Sequence, residues 1–190
     1  MTRLIALTLL SVSLACGQDF TLGSKVTDFT VQDLQGTTVP FSSLRGGVSV
    51  VVFTSTNCPV SNAYNDRMNA VYRDYSAKGV KFIFVNANQN ESASEVATHA
   101  KSVGFTFPVY KDANNILADK FNAQVTPETY VIDSSGTLAY HGQIDDNRNE
   151  KRVEQQGLRI ALDAVLAGKP VPVSETKAFG CSIKRVRRST

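Results

Sequence analysis

Two apolar runs limit what this chain can fold into. Residues 48–54, VSVVVFT, form a continuous β-branched stretch, and residues 80–85, VKFIFV, form a second. Runs of this length without alternation belong to strands covered on both faces. Between them Ala63, Tyr64, Met68, Val71, Tyr72 and Tyr75 recur at helical spacing, and Gly79 supplies a stop. Strand, helix and strand in this order predict a parallel pair joined by a right-handed crossover. The expected class is α/β, with a central mixed β-sheet flanked by helices.

The remaining elements follow from shorter signals. Residues 28–31 and 37–39 read as an N-terminal β-hairpin about the turn Leu34-Gln35-Gly36. After the polar loop at 86–90 come a helix at about 92–103, a strand at 107–110 and a short helix at 115–121. Residues 129–133 and 137–142 flank the turn Ser134-Ser135-Gly136 and pair as a hairpin. A last helix is expected over about 152–166, stopped by Gly168-Lys169-Pro170. A length of 190 suits one domain, and 42% apolar residues suffice for a packed core. Residues 18–168 are assigned to that domain and residues 169–190 to an extended C-terminal tail.

The first 17 residues, MTRLIALTLLSVSLACG, have a different character. One positive charge, Arg3, precedes an apolar run at 4–10, and the segment ends in small residues. That is the layout of a secretory signal peptide, with Ala15 and Gly17 as the small pair before cleavage. The apolar run is too short to span a bilayer. Lipid attachment at Cys16 is the rival reading, although Ser13 stands where a lipobox has leucine. Export leaves two cysteines, Cys58 and Cys181, in a compartment that permits disulfides.

The formal charge of +3 points to no nucleic-acid footprint. It is concentrated in Lys184, Arg185, Arg187 and Arg188, and without them and Arg3 the chain carries about −2. These tail charges read as a solvated, mobile end, with contact to an anionic membrane as the lesser alternative.

The chemistry of the chain centres on FTSTNCPVSN, residues 53–62. Cys58 lies between a buried strand and a helix. Free backbone N–H groups and the helix dipole stabilise a thiolate at that end. Pro59 suits the first helical turn and Asn57 can serve as the cap. Cys58 is therefore expected to be acidic and partly exposed. Asn62, on the first helical turn, can hydrogen-bond a bound substrate. Tyr64 reads as a core residue with a polar tip, and Arg67 as a surface pairing residue. Asn86, Asn88, Gln89 and Asn90 read as an ordinary polar loop.

This segment resembles the active-site segment of thioredoxin-like proteins, in which a strand ends in a CxxC motif that opens a helix. Cys58 falls on the first cysteine of that motif and Ser61 replaces the second. The resemblance continues in Val125-Thr126-Pro127, where that superfamily places a cis-proline beside its active-site cysteine. It implies that role for Pro127 only; the Thr126-Pro127 backbone is expected to align the substrate, and Ser61 and Asn62 are further substrate-binding candidates. The N-terminal hairpin, the Cys-Pro dipeptide and TYVIDSSGTLAYHGQIDD resemble the redoxins of the alkyl hydroperoxide reductase/thiol-specific antioxidant group. A peroxiredoxin-like branch with one such cysteine and a late GCSIKR segment, residues 180–185, is the most similar.

The chain also departs from that pattern. Ser55 stands for the hydroxyl residue of a peroxiredoxin site, but Val51 occupies the place of its proline. No arginine precedes TYVID, where Thr126-Pro127-Glu128 stands instead, and there is no tryptophan before Cys58. An arginine would help to hold a thiolate and peroxide oxygens.

A mixed disulfide formed at Cys58 cannot be released by Ser61. Three routes stay open: resolution by Cys181, resolution by an external thiol, or a long-lived mixed disulfide. A bridge between Cys58 and Cys181 that only staples the tail would stabilise by roughly 4–5 kcal/mol in the chain-entropy model. No metal site is expected. The copper chaperones of this fold use two close cysteines and a histidine, whereas position 62 is asparagine and only His99 and His141 exist. No phosphate loop or hydrolase triad is present, and no cofactor is expected.

The sequence therefore predicts a secreted or periplasmic thiol–disulfide oxidoreductase. Cys58 is its nucleophile and Cys181 its candidate resolving thiol. The partners are protein or small-molecule thiols and disulfides. A thiol peroxidase acting on peroxide is the alternative, and a non-catalytic binding domain of the same fold is the second. Oligomeric state is left open.

Overall fold

The computed structural model describes residues 19–187 of the 190. The expected signal segment, the Cys16 lipidation site and Arg188 lie outside the described residues. A hairpin of β1 (Thr30–Gln32) and β2 (Thr38–Pro40) leads through the short helix α1 (Phe41–Leu44) into β3 (Ser49–Thr54). Two helices follow, α2 (Pro59–Asn62) and α3 (Asn65–Ser76), then β4 (Lys81–Asn86) and α4 (Ala93–Ser102). The second half holds β5 (Val109–Lys111), α5 (Ile116–Lys120), β6 (Val125–Thr126), β7 (Glu128–Ile132), β8 (Leu138–Gly142), α6 (Gly157–Leu166) and β9 (Cys181–Ser182).

Seven strands form one mixed sheet in the order β2-β1-β5-β4-β3-β7-β8. β3 runs parallel to β4 and antiparallel to β7, so the βαβ crossover lies at the centre of the sheet. Strand alternation then divides the core in two. Val50 and Val52 meet Met68 and Val71 of α3 and Leu158, Ala161 and Leu162 of α6 on one face. Val51 and Phe53 meet Phe20, Phe29, Phe41, Leu117 and Phe121 on the other. Both strands read as continuous apolar runs because neither face meets water.

Local signals place the helix ends. Ser92 caps α4 in a reciprocal capping box with Glu95. Gly79, at φ +85°, turns the chain out of α3 into β4.

Three expectations need correction. The last helix begins at Gly157, not near residue 152. The backbone before it is spent on the preceding loop instead: Asp146 N donates to the Gln155 carbonyl at 3.1 Å and Leu158 N to that of Ile144 at 3.1 Å. Arg67 is not a surface residue. Its Nη1 donates to both carboxylate oxygens of Asp145, at 2.8 and 2.7 Å, and its guanidinium lies 3.6 Å from the Tyr64 ring centroid. Tyr64 Oη donates to the same carboxylate at 2.9 Å. Residues 183–186 are not a free end, although the Lys184 and Arg187 side chains are exposed. The Ile183 side chain is buried in the second core, and Lys184, Arg185 and Val186 are hydrogen-bonded to the domain.

The Arg67–Asp145 pair ties α3 to the loop after β8 in a largely dehydrated place. Removing one member of such a pair strands the other charge. Asp145→Ala is expected to cost about 3–5 kcal/mol, read in a thermal melt as a Tm lowered by about 10 °C.

Candidate active site

Cys58 lies at the C-terminal end of the central strand pair. It is the N-cap of α2, with extended backbone, and its Sγ accepts a hydrogen bond from Ser61 N at 3.3 Å. Pro59 occupies the first helical turn, where a missing N–H costs nothing. As a thiol, Cys58 donates to the Thr126 carbonyl oxygen at 3.3 Å. The Thr126–Pro127 peptide bond is cis.

The far end of the chain completes the site. β9 pairs antiparallel with β6, and Cys181 stands opposite Thr126. Gly180 lies so close to the Thr126 carbonyl that any β-carbon there would overlap it. Both cysteines are free thiols, and they lie close enough to act on each other's acidity. Cys58 is only 2% exposed. This corrects the expected partial exposure, which left out the tail.

The two thiols are driven apart in acidity. Burial pushes Cys58 up, but hydrogen bonds from the Cys181 thiol, Ser61 N, the Cys181 backbone and the Thr126 side chain outweigh it, and the net direction is down. Cys181 moves up, because its proton is held in the hydrogen bond to Cys58 and because burial and the Cys58 charge oppose its ionisation. Of the two, Cys58 is the more acidic thiol.

Two buried carboxylates brace the segments on either side of Cys58, and the sequence reading missed both roles. Glu91, 3% exposed, accepts from Ser55 Oγ at 2.6 Å, Thr56 N at 2.8 Å, Asn57 N at 3.1 Å and Asn86 Nδ2. Ser55 Oγ in turn accepts from Cys58 N at 3.1 Å. Glu128 accepts from Gln124 N at 2.7 Å, Val125 N at 3.1 Å and Tyr130 Oη at 3.1 Å, and pairs with His141 Nε2 at 2.6 Å. Burial raises both carboxyls, yet their hydrogen bonds hold both below the usual carboxylate range. Glu91 follows a loop at the carboxyl end of a parallel strand, where sites form in α/β sheets; that position is the signal that could have found it.

The other expected residues fall as follows. Thr126 and Pro127 lie against Cys58. The Ser61 side chain faces inward, fully buried, with Oγ hydrogen-bonded to Thr54 Oγ1 and Ser55 N at 3.1 Å each, so its backbone N–H reaches the sulfur and its hydroxyl does not. Asn62 donates from Nδ2 to the Thr56 carbonyl at 2.9 Å and so fastens the same loop. Asn86 and Asn88 are buried structural groups rather than an ordinary polar loop: Asn86 joins Glu91 to Lys111, and Asn88 receives Lys184 N at 2.7 Å. His141 stacks on Tyr130 away from Cys58, and His99 packs edge-on against Phe105.

The sequence pattern of the AhpC/TSA family matches residues 22–141, well over half the chain. The chain belongs to the AhpC/TSA family. Among curated members of known name, the thiol-disulfide oxidoreductase ResA of Halalkalibacterium halodurans is 28% identical over 116 residues. That match covers 61% of this chain and 65% of the relative, so it spans just under two thirds of the relative's length. Two solved structures are similar over nearly the whole chain. A hypothetical protein from Sinorhizobium meliloti 1021 is 32% identical with a TM-score of 0.80, covering 89% of this chain and 97% of its own. An uncharacterized conserved protein from Geobacillus kaustophilus is 29% identical with a TM-score of 0.82, covering 90% and 95%. The fold is thioredoxin-like, as the redoxin resemblance implied. No described helix is long and apolar enough to cross a membrane.

Two predictions test this electrostatic arrangement. The rate of Cys58 alkylation against pH, followed by mass spectrometry, is expected to show a midpoint below that of an ordinary thiol, near ~8.5. Cys181→Ala is expected to move that midpoint upward by removing a hydrogen-bond donor. Glu91, with its folded value lowered, contributes stability above the unfolded glutamate value near ~4.3, lost as pH falls through the folded value. Glu91→Gln should therefore be less stable than the parent at neutral pH, with the gap in Tm closing as the pH is lowered into that range.

Proposed function

We propose that this protein is an extracytoplasmic thiol–disulfide oxidoreductase in which Cys58 is the nucleophile and Cys181 the resolving thiol. The observation that carries the reading is the placement of two free thiols on one residue, with Cys58 at a helix start bonded to the Thr126 carbonyl and Cys181 paired opposite Thr126. Its support in the comparisons is the name of the ResA relative. The expected signal segment supports the location.

The chemistry runs in two exchanges. The Cys58 thiolate attacks one sulfur of a substrate disulfide. The S–S bond breaks, a Cys58–substrate disulfide forms, and the other substrate sulfur leaves with the electron pair and takes up a proton. Cys181 then attacks Cys58 Sγ, and its proton passes to the substrate sulfur that leaves with the electron pair. The second substrate thiol leaves, and the protein holds a Cys58–Cys181 disulfide. An external dithiol reduces that bond and restores the pair. The same steps in reverse oxidise a dithiol substrate.

In this arrangement Ser61 N, Cys181 and Thr126 stabilise the charge at Cys58, Glu91 fixes the loop that carries it, and Glu128 fixes the strand opposite. The groups that lower Cys58 are hydrogen-bond donors with no guanidinium among them, which favours disulfides over peroxide as substrates.

Insulin reduction with dithiothreitol as donor, run beside peroxide consumption, tests the reading. The wild type is expected to reduce insulin and Cys58→Ser to fall to the uncatalysed background. Cys181→Ser should complete the first exchange and accumulate the mixed disulfide, visible on a non-reducing gel. Insulin reduction retained in Cys58→Ser would overturn the assignment, and peroxide turnover without insulin reduction would replace it with a peroxidase.

A further inference from the structure

The tail is bound to the domain as a peptide ligand would be. Among the described residues no helix follows α6, and the chain from Gly168 reaches the site with only short backbone pairings on the way. Around Cys181 the tail adds one strand to β6, the open edge before Pro127. Ile183 N donates to the Gln124 carbonyl at 2.9 Å, and Gln89 N donates to the Lys184 carbonyl at 2.8 Å. Val186 N donates to Asn115 Oδ1 at 2.7 Å. These are backbone contacts that any extended polypeptide can supply. Three side-chain positions add selectivity. At Gly180 only hydrogen fits against Thr126, Ile183 fills an apolar seat, and Arg185 pairs with Asp119 and the Ala123 carbonyl.

We propose that residues 178–186 are a displaceable internal occupant of a polypeptide-binding edge. We assign to that edge substrates of the order Gly-Cys-x-apolar-x-basic, whose cysteine takes the place of Cys181. The proposal rests on the exchange chemistry proposed for Cys58 and adds a partner and a gate to it. A docked tail leaves Cys58 buried, so a polypeptide reaches the sulfur only as the tail leaves. The tether keeps the tail at an effective concentration of order mM, and an incoming chain must compete with it. Once a mixed disulfide has formed, the returning tail brings Cys181 back to Cys58. The gate and the resolving thiol are then the same segment.

The test uses the full chain with Cys16→Ser and Cys181→Ser, so that Cys58 is the thiol assayed. The probe is the peptide AFGCSIKR with its cysteine in a mixed disulfide with thionitrobenzoate. Attack by the Cys58 thiolate forms the Cys58–peptide disulfide and releases the coloured thiolate, and the adduct is located by mass spectrometry. The tail is loosened from its own side by Ile183→Asp with Arg185→Ala, and independently by Gly180→Val. Either set is expected to speed release about tenfold over Cys16→Ser with Cys181→Ser alone. On the loosened protein, the altered probe AFVCSIKE should react about tenfold more slowly than AFGCSIKR. Equal rates for intact and loosened tails, or for the two probes, overturn the proposal while the chemistry of Cys58 stands. Failure of every variant to react even with the small disulfide 5,5′-dithiobis(2-nitrobenzoate) overturns the exchange chemistry itself.

Discussion

The pairing of Cys181 with Thr126 is the contact on which the site depends. It joins residues far apart in the chain through backbone hydrogen bonds, and it requires glycine at 180 because the Thr126 carbonyl leaves no room for a β-carbon. Phe179 packs against one core and Ile183 is buried in the other. The tail therefore straddles the end of the sheet, and Cys181 is held between two apolar anchors. With this contact in place Cys58 is buried at a helix start and has a second thiol beside it. Burial alone disfavours a thiolate, so the hydrogen bonds must exceed that penalty, and the direction of the Cys58 shift says that they do.

A thiol pair is useful only if neither backbone drifts. Glu91 binds the loop at 55–57 and Glu128 binds the backbone at 124–125, one on each side of the sulfur. A buried carboxylate is costly, several kcal/mol after relaxation, unless its oxygens are fully used. Here each carboxylate accepts several N–H or O–H groups, which would be orphaned in its absence. The exchange is reciprocal. The loops satisfy the charges, and the charges give the loops one conformation. Lys111 extends the first network, donating to Asn86 Oδ1 and to the Asn88 and Glu91 carbonyls.

What the sequence made legible is what local physics decides. The apolar runs of β3 and β4, the capping box at Ser92, the Gly79 stop and the position of Cys58 at a helix start need only neighbours in the chain. The cis bond at Pro127 came from the thioredoxin-like resemblance, since an X–Pro bond is trans by default. The misreadings share one cause. Arg67, Asn88 and Arg185 bond to partners far off in sequence, the residues before Gly157 bond back within their own loop, and a charge or amide gives no local sign of either partner. Glu91 is the clearest case: in the sequence it is one more polar residue of an asparagine-rich loop. Its role exists only because β3 and β4 are adjacent and end level, with Thr54 beside Asn86.

Ser61 can be understood on the same terms. Its hydroxyl fills a closed polar slot between Thr54 Oγ1 and Ser55 N, while its N–H serves the Cys58 sulfur. A thiol is a weaker and larger hydrogen-bonding group than a hydroxyl, so cysteine at 61 would loosen the loop that Glu91 and Ser55 hold. It would also place a second thiol on the buried side of Cys58, away from the edge at which chains can arrive. In the proposed mechanism a resolving thiol on the tail would avoid both difficulties. It would approach from the open side and leave to admit a partner, and its return would be set by the length of the tether rather than by the geometry of one helical turn.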